Sequence, residues 1–230
     1  MNTGFNLYIS GRPPISPEPI RTGLPGLDRY IKGVMKTGGL IQFSGEAGTG
    51  KSQLLFSIAA NYAMQGTKVL FFDTQGKFRP ERIRQMVRND ENSADLLERI
   101  DILQSGDPFT IFETAADGES LQKYGVILAD DLSEPFLREG FRSKQSAMLP
   151  LLARRLNIWG VVNGRFVVVA QRVSFSPTYQ QSFALGLQFV SPYLLSSFTL
   201  QRLKDYYSIT AEGYGEVSRF IIKQEGLQEL

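Results

Sequence analysis

Apolar residues along the chain fall into short unbroken runs, separated by longer stretches in which they recur every three or four positions. "GLIQFSG", "KVLFFDT", "YGVILADD" and "RFVVVAQ" are runs bounded by glycine or polar residues and predict buried strands, with "RIDILQ" a shorter one. Between them "SQLLFSIAANYAMQ", which ends at Gly66, a segment beginning around Arg79, "PFTIFETAA" and "KQSAMLPLLARRLNIW" predict helices, and "GLDRYIKGVM" predicts a short helix before the first strand. Nearly all-apolar strands alternating with helices predict an α/β fold, with a mostly parallel central sheet covered on both faces. The pattern then changes: "LLSSFTLQRL", "YSITA" and "SRFIIKQ" predict short antiparallel C-terminal strands. Residues 174–200 carry no charge and are broken by Pro177, Gly186 and Pro192, which predicts a loop followed by a strand. Four prolines in residues 1–20 predict an extended arm, leaving 21–230 as one domain.

Composition narrows the chemistry. A chain of 230 residues suits one medium-sized domain, and 25 Lys plus Arg against 23 Asp plus Glu gives a net charge of only +2, so any basic surface is local. There is no cysteine and no histidine, which excludes thiolate or imidazole metal sites, cysteine nucleophiles and Ser-His-Asp chemistry. Carboxylates, lysine, hydroxyls and backbone dipoles remain. No apolar run has the length of a signal peptide core or a bilayer span, so no membrane association is expected and a cytoplasmic location is.

The sharpest motif is "GEAGTGKS", residues 45–52, a full match to G-x-x-x-x-G-K-[ST] between a predicted strand and a predicted helix. Gly45, Glu46, Ala47, Gly48, Thr49 and Gly50 form a loop whose N–H groups can turn onto phosphate oxygens. Lys51 would reach the β and γ oxygens of ATP, and Ser52 would hold Mg²⁺. A Mg²⁺-bound triphosphate wants a second acidic strand end beside this loop, and "VILADD" offers Asp130, with Asp131 next to it.

These residues, with "IRTGLPGLD", "GEAGTGKSQ", "FFDTQGKFRPERI", "RFVVVAQRV" and "RFIIKQEGLQ", resemble the RecA-like strand-exchange ATPases, specifically the archaeal RadA and RadB group and the eukaryotic recombinase paralogues. The resemblance runs from about Ile20 to the C-terminus. It implies a RecA-like P-loop ATPase core, with Gln53 following the P-loop and Arg82, closing the FRPER block, set against the adenine ring. It also implies that Gln75 occupies the position of a glutamate that polarises the attacking water. An amide can orient water but cannot take its proton near neutral pH, so slow hydrolysis is expected. Where relatives carry Asp-Ser after the second acidic strand this chain has Asp130-Asp131, and where they carry Asn-Gln after the "VVV" strand it has Gln171-Arg172.

In the family, two loops face DNA. The first holds Arg138, Arg142 and Lys144, cations able to meet phosphates. The second, from Ser174 to about Ser191, holds Phe175, Tyr179 and Phe183 with Arg172 at its entrance, and its aromatics could stack on unpaired bases or fill a protein interface. Arg172 could contact a phosphate of nucleotide or of DNA. The segment Phe5 to Tyr8 only partly matches the family's Phe-x-x-Ala subunit tether. Two readings follow. One is an ATP-binding recombinase paralogue, an accessory or mediator in homologous recombination and repair, with weak ATPase activity, single-stranded DNA and a RadA-type recombinase as partners, and homo-oligomers allowed. The other is a KaiC-like nucleotide-dependent scaffold whose output is protein binding.

Overall fold

The computed structural model describes residues 17–87, 95–176 and 181–230. The expected arm and the Phe5 to Tyr8 segment therefore lie outside the described residues up to Pro17. From there the chain is docked: the Glu18 N–H donates to Gly164 O at 2.9 Å and Ile20 is buried in the core.

In chain order the elements are α1 (Pro25–Val34), β1 (Gly39–Gly45), α2 (Lys51–Met64), β2 (Lys68–Asp73), α3 (Pro80–Met86), β3 (Ile100–Gln104), α4 (Pro108–Ala116), β4 (Tyr124–Asp130) and α5 (Glu134–Leu137). They continue with α6 (Leu149–Asn163), β5 (Phe166–Ser176), β6 (Gln181–Ala184), α7 (Leu187–Val190), β7 (Leu194–Arg202), β8 (Tyr207–Ala211), β9 (Gly215–Lys223) and β10 (Gly226–Glu229). Local chemistry sets several boundaries. Pro108 opens α4 and Asp107 caps it, its carboxylate accepting the Thr110 N–H at 2.8 Å. Gly164, at φ +62°, closes α6 in the left-handed conformation.

The strands form one ten-stranded sheet in the order β10-β9-β8-β7-β1-β5-β4-β2-β3, with β6 paired to β5. β7, β1, β5, β4, β2 and β3 run parallel, and β8, β9 and β10 continue antiparallel from β7. This is the α/β architecture the hydrophobic pattern predicts, with two differences. β7 is antiparallel only to β8; against β1 it is parallel, because the segment holding α7, with Val190 buried, carries the chain back across the sheet. And the uncharged segment after β5 begins as a hairpin, Val173 pairing with Ala184 and Ser174 with Phe183.

Side-chain alternation divides the core between the two faces. Val126 and Leu128 of β4 and Val168 and Ala170 of β5 join Leu54, Leu55 and Ile58 of α2 on one face. Ile127, Ala129, Val167 and Val169 join Leu152, Leu156 and Trp159 of α6 on the other. β1 is buried along its whole length, and its Phe43 stacks on Phe198 of β7 with centroids 4.8 Å apart. Truncating so enclosed a ring to alanine costs about 3–5 kcal/mol.

Candidate nucleotide site

The loop from Gly45 to Gly50 joins the central strand to α2, and its glycines are needed where they stand. A Cβ on Gly45 would meet Leu200 O at 2.5 Å and Thr49 Oγ1 at 2.8 Å, while Gly48 and Gly50 sit at φ +79° and +89°. Glu46, Ala47 and Gly48 are exposed at the turn, whereas Thr49 is buried and its hydroxyl donates to Glu46 O at 2.9 Å. Lys51 is buried beneath them, its Nζ donating to Gly45 O at 2.8 Å and Glu46 O at 2.6 Å. Burial pulls its pKa down, opposed by the charges of Asp130 and Asp131.

Ser52 Oγ donates to Asp130 Oδ2 at 2.5 Å, so the first turn of α2 meets the tip of β4, as the motif predicts. Burial raises the Asp130 pKa, against the Ser52 hydrogen bond and the Lys51 charge. Among the described residues no group of three or more carboxylates is placed to hold a metal ion alone. One hydroxyl and one carboxylate beside a glycine-rich loop fit Mg²⁺, which binds through one or two protein oxygens and completes its shell with phosphate and water. Mg²⁺ with ATP is therefore the group these donors suit.

Gln75 lies in the turn after β2. The residue shaping that turn escaped sequence reading: the buried Asp73 carboxylate accepts the N–H groups of Lys77 and Phe78, each at 2.9 Å. An aspartate followed at short range by a glycine turn was the available signal. Gln75 itself is half-buried, and its amide has no partner among the described residues.

Asp131 is also buried and closes the top of the site from the other side, joined to Asp130 by a cis peptide. Its carboxylate accepts the N–H groups of Ser133 at 3.0 Å, Glu134 at 3.3 Å and Arg172 at 3.1 Å. Burial outweighs these bonds and pushes its pKa up to about 6. Thr74 binds the same turn, its hydroxyl donating to Asp131 O at 2.8 Å while accepting the Asp131 N–H at 3.0 Å. Gln171 is buried, its Nε2 donating to Ser133 Oγ and its Oε1 without a partner among the described residues.

Arg82 is held edge-on. Its Nε donates to Gln53 Oε1, one terminal nitrogen to Gln224 O at 2.7 Å and Gln85 Oε1 at 3.0 Å, and the other to Lys223 O. The guanidinium thus ties α2 and α3 to the turn between β9 and β10, and Arg82, which the resemblance sets against the adenine ring, is bonded to Gln53, the residue that follows the P-loop. Edge-on bonding leaves the planar face for stacking.

The cations expected to meet DNA lie beyond β4, on the α6 face. Arg138 is committed locally, with two bonds to Glu134 at 2.9 and 2.8 Å and one to Gly106 O at 3.2 Å. Arg142 and Lys144 are exposed and have no ion pair among the described residues. Beside them Phe141, 52% exposed, stacks on Phe189 with centroids 6.4 Å apart, joining the loop after β4 to the segment after β6. Sequence reading had not singled out either ring. The Phe175 side chain and Tyr179 lie outside the described residues; Phe183 is exposed on β6. No described helix is long and apolar enough to cross a membrane.

Comparison with known proteins accords with this arrangement. The Rad51 family model matches residues 18–156. The DNA repair and recombination protein RadB of Pyrococcus furiosus is 29% identical over 164 residues, 64% of this chain and 68% of that protein. RadA of Methanoculleus marisnigri is 34% identical over 91 residues, 37% of this chain and 28% of that protein, so the match spans about two thirds of one relative and under a third of the other. A crystal structure of the RadB recombinase superposes with a TM-score of 0.78 at 22% identity, covering 92% of this chain and 99% of that one. With its P-loop, its second acidic strand end and its sheet in place, the chain belongs to the Rad51 family of RecA-like recombinase ATPases.

Proposed function

We propose that this protein is an ATP-binding accessory factor in homologous recombination and DNA repair, a slow ATPase that works beside a RadA-type recombinase on single-stranded DNA in the cytoplasm. The observation that carries the reading is the allocation of the aspartates at the ends of β2 and β4. Asp73 is spent on the Lys77 and Phe78 N–H groups, Asp130 on Ser52, and Asp131 on three backbone N–H groups. The free side chain at the end of β2 is the amide of Gln75, which orients water without accepting its proton. Lys51 and the loop N–H groups hold phosphates, Ser52 and Asp130 hold Mg²⁺, and the Arg82 face takes the adenine. Arg142 and Lys144, with Arg138 beside them, supply charge for DNA phosphates, and Phe141 adds a ring on which a base can stack. ATP, once bound, supplies a charged γ-phosphate whose presence or loss these residues read.

The test is single-strand binding measured against salt, with and without ATP, together with steady-state hydrolysis. ATP-dependent, salt-sensitive binding with turnover far below that of a strand-exchange enzyme supports the proposal. The scaffold reading draws on the uncharged segment 174–200 and predicts nucleotide binding with no DNA affinity at low salt.

A further inference from the structure

The end of the sheet remote from the P-loop carries a groove of its own. Gly39 and Phe166, which are ladder partners, open β1 and β5 there, about 20 Å along the strands from Gly45. The chain from Pro17 to Ile20 forms one wall, held by the Glu18 N–H on Gly164 O, and α1 forms the other. The groove encloses about 230 Å³, less than a small-molecule pocket usually offers, a space for one large side chain and not for a cofactor. Its floor, Ile20, Ile31, Met35 and Phe166, is apolar and buried, and Lys32 and Lys36 stand at its rim.

The charge on α1 is a second, separate observation. Leu27 and Ile31 form its buried face, so Arg29, Lys32 and Lys36, at positions i, i+3 and i+7, share the solvent face. No acid accompanies them, since Asp28 is turned to Thr22. Arg29 and Lys32 have no hydrogen bond or ion pair among the described residues, and Lys36 gives one of its three donors to Gly33 O at 2.9 Å. Complementing the helix dipole accounts for Lys32 in the last turn, but not for Arg29 or for the groove. Glu18, the one acid lining the groove among the described residues, has Arg21 for company: the charges of both act on the Tyr62 hydroxyl.

We infer that this groove and the solvent face of α1 form a docking site for an extended acidic segment of a partner protein, in which one apolar side chain enters the groove and flanking carboxylates meet Arg29, Lys32 and Lys36. Charge complementarity selects the acidic partner, and the buried apolar floor selects a protein segment among acidic ones. A nucleic-acid backbone would satisfy the cations and leave Ile20, Ile31, Met35 and Phe166 unused. Met35, unbranched and polarizable, lets the floor adapt to the side chain that enters. The anchor side chain supplies affinity and the rim charges supply register and on-rate. Since the site lies at the far end of the strands from Gly45, it can be filled with or without a nucleotide.

The test is fluorescence anisotropy of the full chain with labelled short peptides, each carrying a single leucine or phenylalanine among glutamates at different spacings. At least one should bind saturably, and more weakly as salt rises, because the charges it meets are exposed. Replacing its apolar residue by serine should cost about tenfold or more, the worth of burying that side chain. Lys32→Glu with Lys36→Glu should cost about tenfold through two reversed exposed charges, and Arg29→Glu less. All three positions are exposed, so ATP affinity, measured on the same variants, should stay within about twofold of wild type. Arg142→Ala with Lys144→Ala, beyond β4, should leave peptide binding unchanged. No saturable binding by any of the peptides, equal binding of the serine analogue, or equal losses in the variant beyond β4 would overturn the site. A loss of oligo-dT binding without loss of peptide binding in the α1 variants also overturns it, placing nucleic acid on α1. So does tighter binding of a peptide of residues 1–16 than of any acidic one, which gives the groove to the chain's own N-terminal segment.

Discussion

Ser52 Oγ and Asp130 Oδ2 lie 2.5 Å apart, one on the first turn of α2 and the other at the tip of β4. Two oxygens from different elements so close together supply a third of an octahedral Mg²⁺ shell, and nucleotide and water must supply the rest. Ser52→Ala and Asp130→Asn should therefore each reduce the gain in ATP affinity that Mg²⁺ brings by about tenfold, with affinity in EDTA little altered. Titration calorimetry with and without the metal checks this, and an intact Mg²⁺ effect in both variants would refute the site.

Gln75→Glu places a carboxylate where the turn held by Asp73 presents a side chain with no partner among the described residues. A well-placed general base is worth about 10²-fold or more. A rise in kcat of about tenfold is expected, smaller because Asp131 and Arg172 also depart from the family pattern, with ATP affinity within about twofold. A lower kcat in the variant would assign the water to another group.

Cations and rings on the α6 face should separate by salt. Arg142→Ala with Lys144→Ala should weaken single-strand binding and flatten its dependence on salt, each phosphate contact contributing about −0.7 to the logarithmic slope. Arg138→Ala should do less, its charge being matched by Glu134. Phe141→Ala should weaken binding with the slope unchanged, since stacking releases no counterion. A steeper slope in any of these variants contradicts the surface.

Burial pushes the Asp28 carboxyl above its usual range, against hydrogen bonds from the Thr22 hydroxyl and N–H at 2.6 and 2.9 Å. The folded state therefore binds this proton more tightly than the unfolded one. Its contribution is complete below about pH 4 and is lost as the pH rises through the raised value. Asp28→Asn keeps an oxygen facing Thr22 and loses the charge, so wild type should lose stability relative to the variant as the pH rises above about 4. Urea midpoints across that range measure the difference; a difference that shrinks with rising pH would show the opposite shift.

What the sequence disclosed followed the range of the forces involved. The P-loop was legible because glycines at 45, 48 and 50 answer to local backbone geometry, and the parallel strands because unbroken apolar runs mean burial on both faces. The strand β6 was not, because "QSFA" has neither alternation nor β-branched residues and is held by its ladder to β5. The direction of β7 relative to β1 depends on the path of the intervening segment, which no single-strand pattern encodes. Asp131 with Arg172, and Phe141 with Phe189, are meetings between distant segments, so each residue alone reads as an ordinary turn or surface position.

The place of β1 between β5 and β7 sets the timetable of synthesis. Gly39 finds its ladder partner only at Phe166, and the other neighbour of β1 begins only at Leu194, so the seven residues of β1 emerge from the ribosome long before anything can pair with them. Until then "GLIQFSG" is a bare apolar template, open to mispairing and to capture by chaperones. The phosphate loop hangs from its end, and it gains its shape only once most of the chain has been made. Interrupted translation would thus yield fragments that contain the entire P-loop sequence and cannot hold a nucleotide.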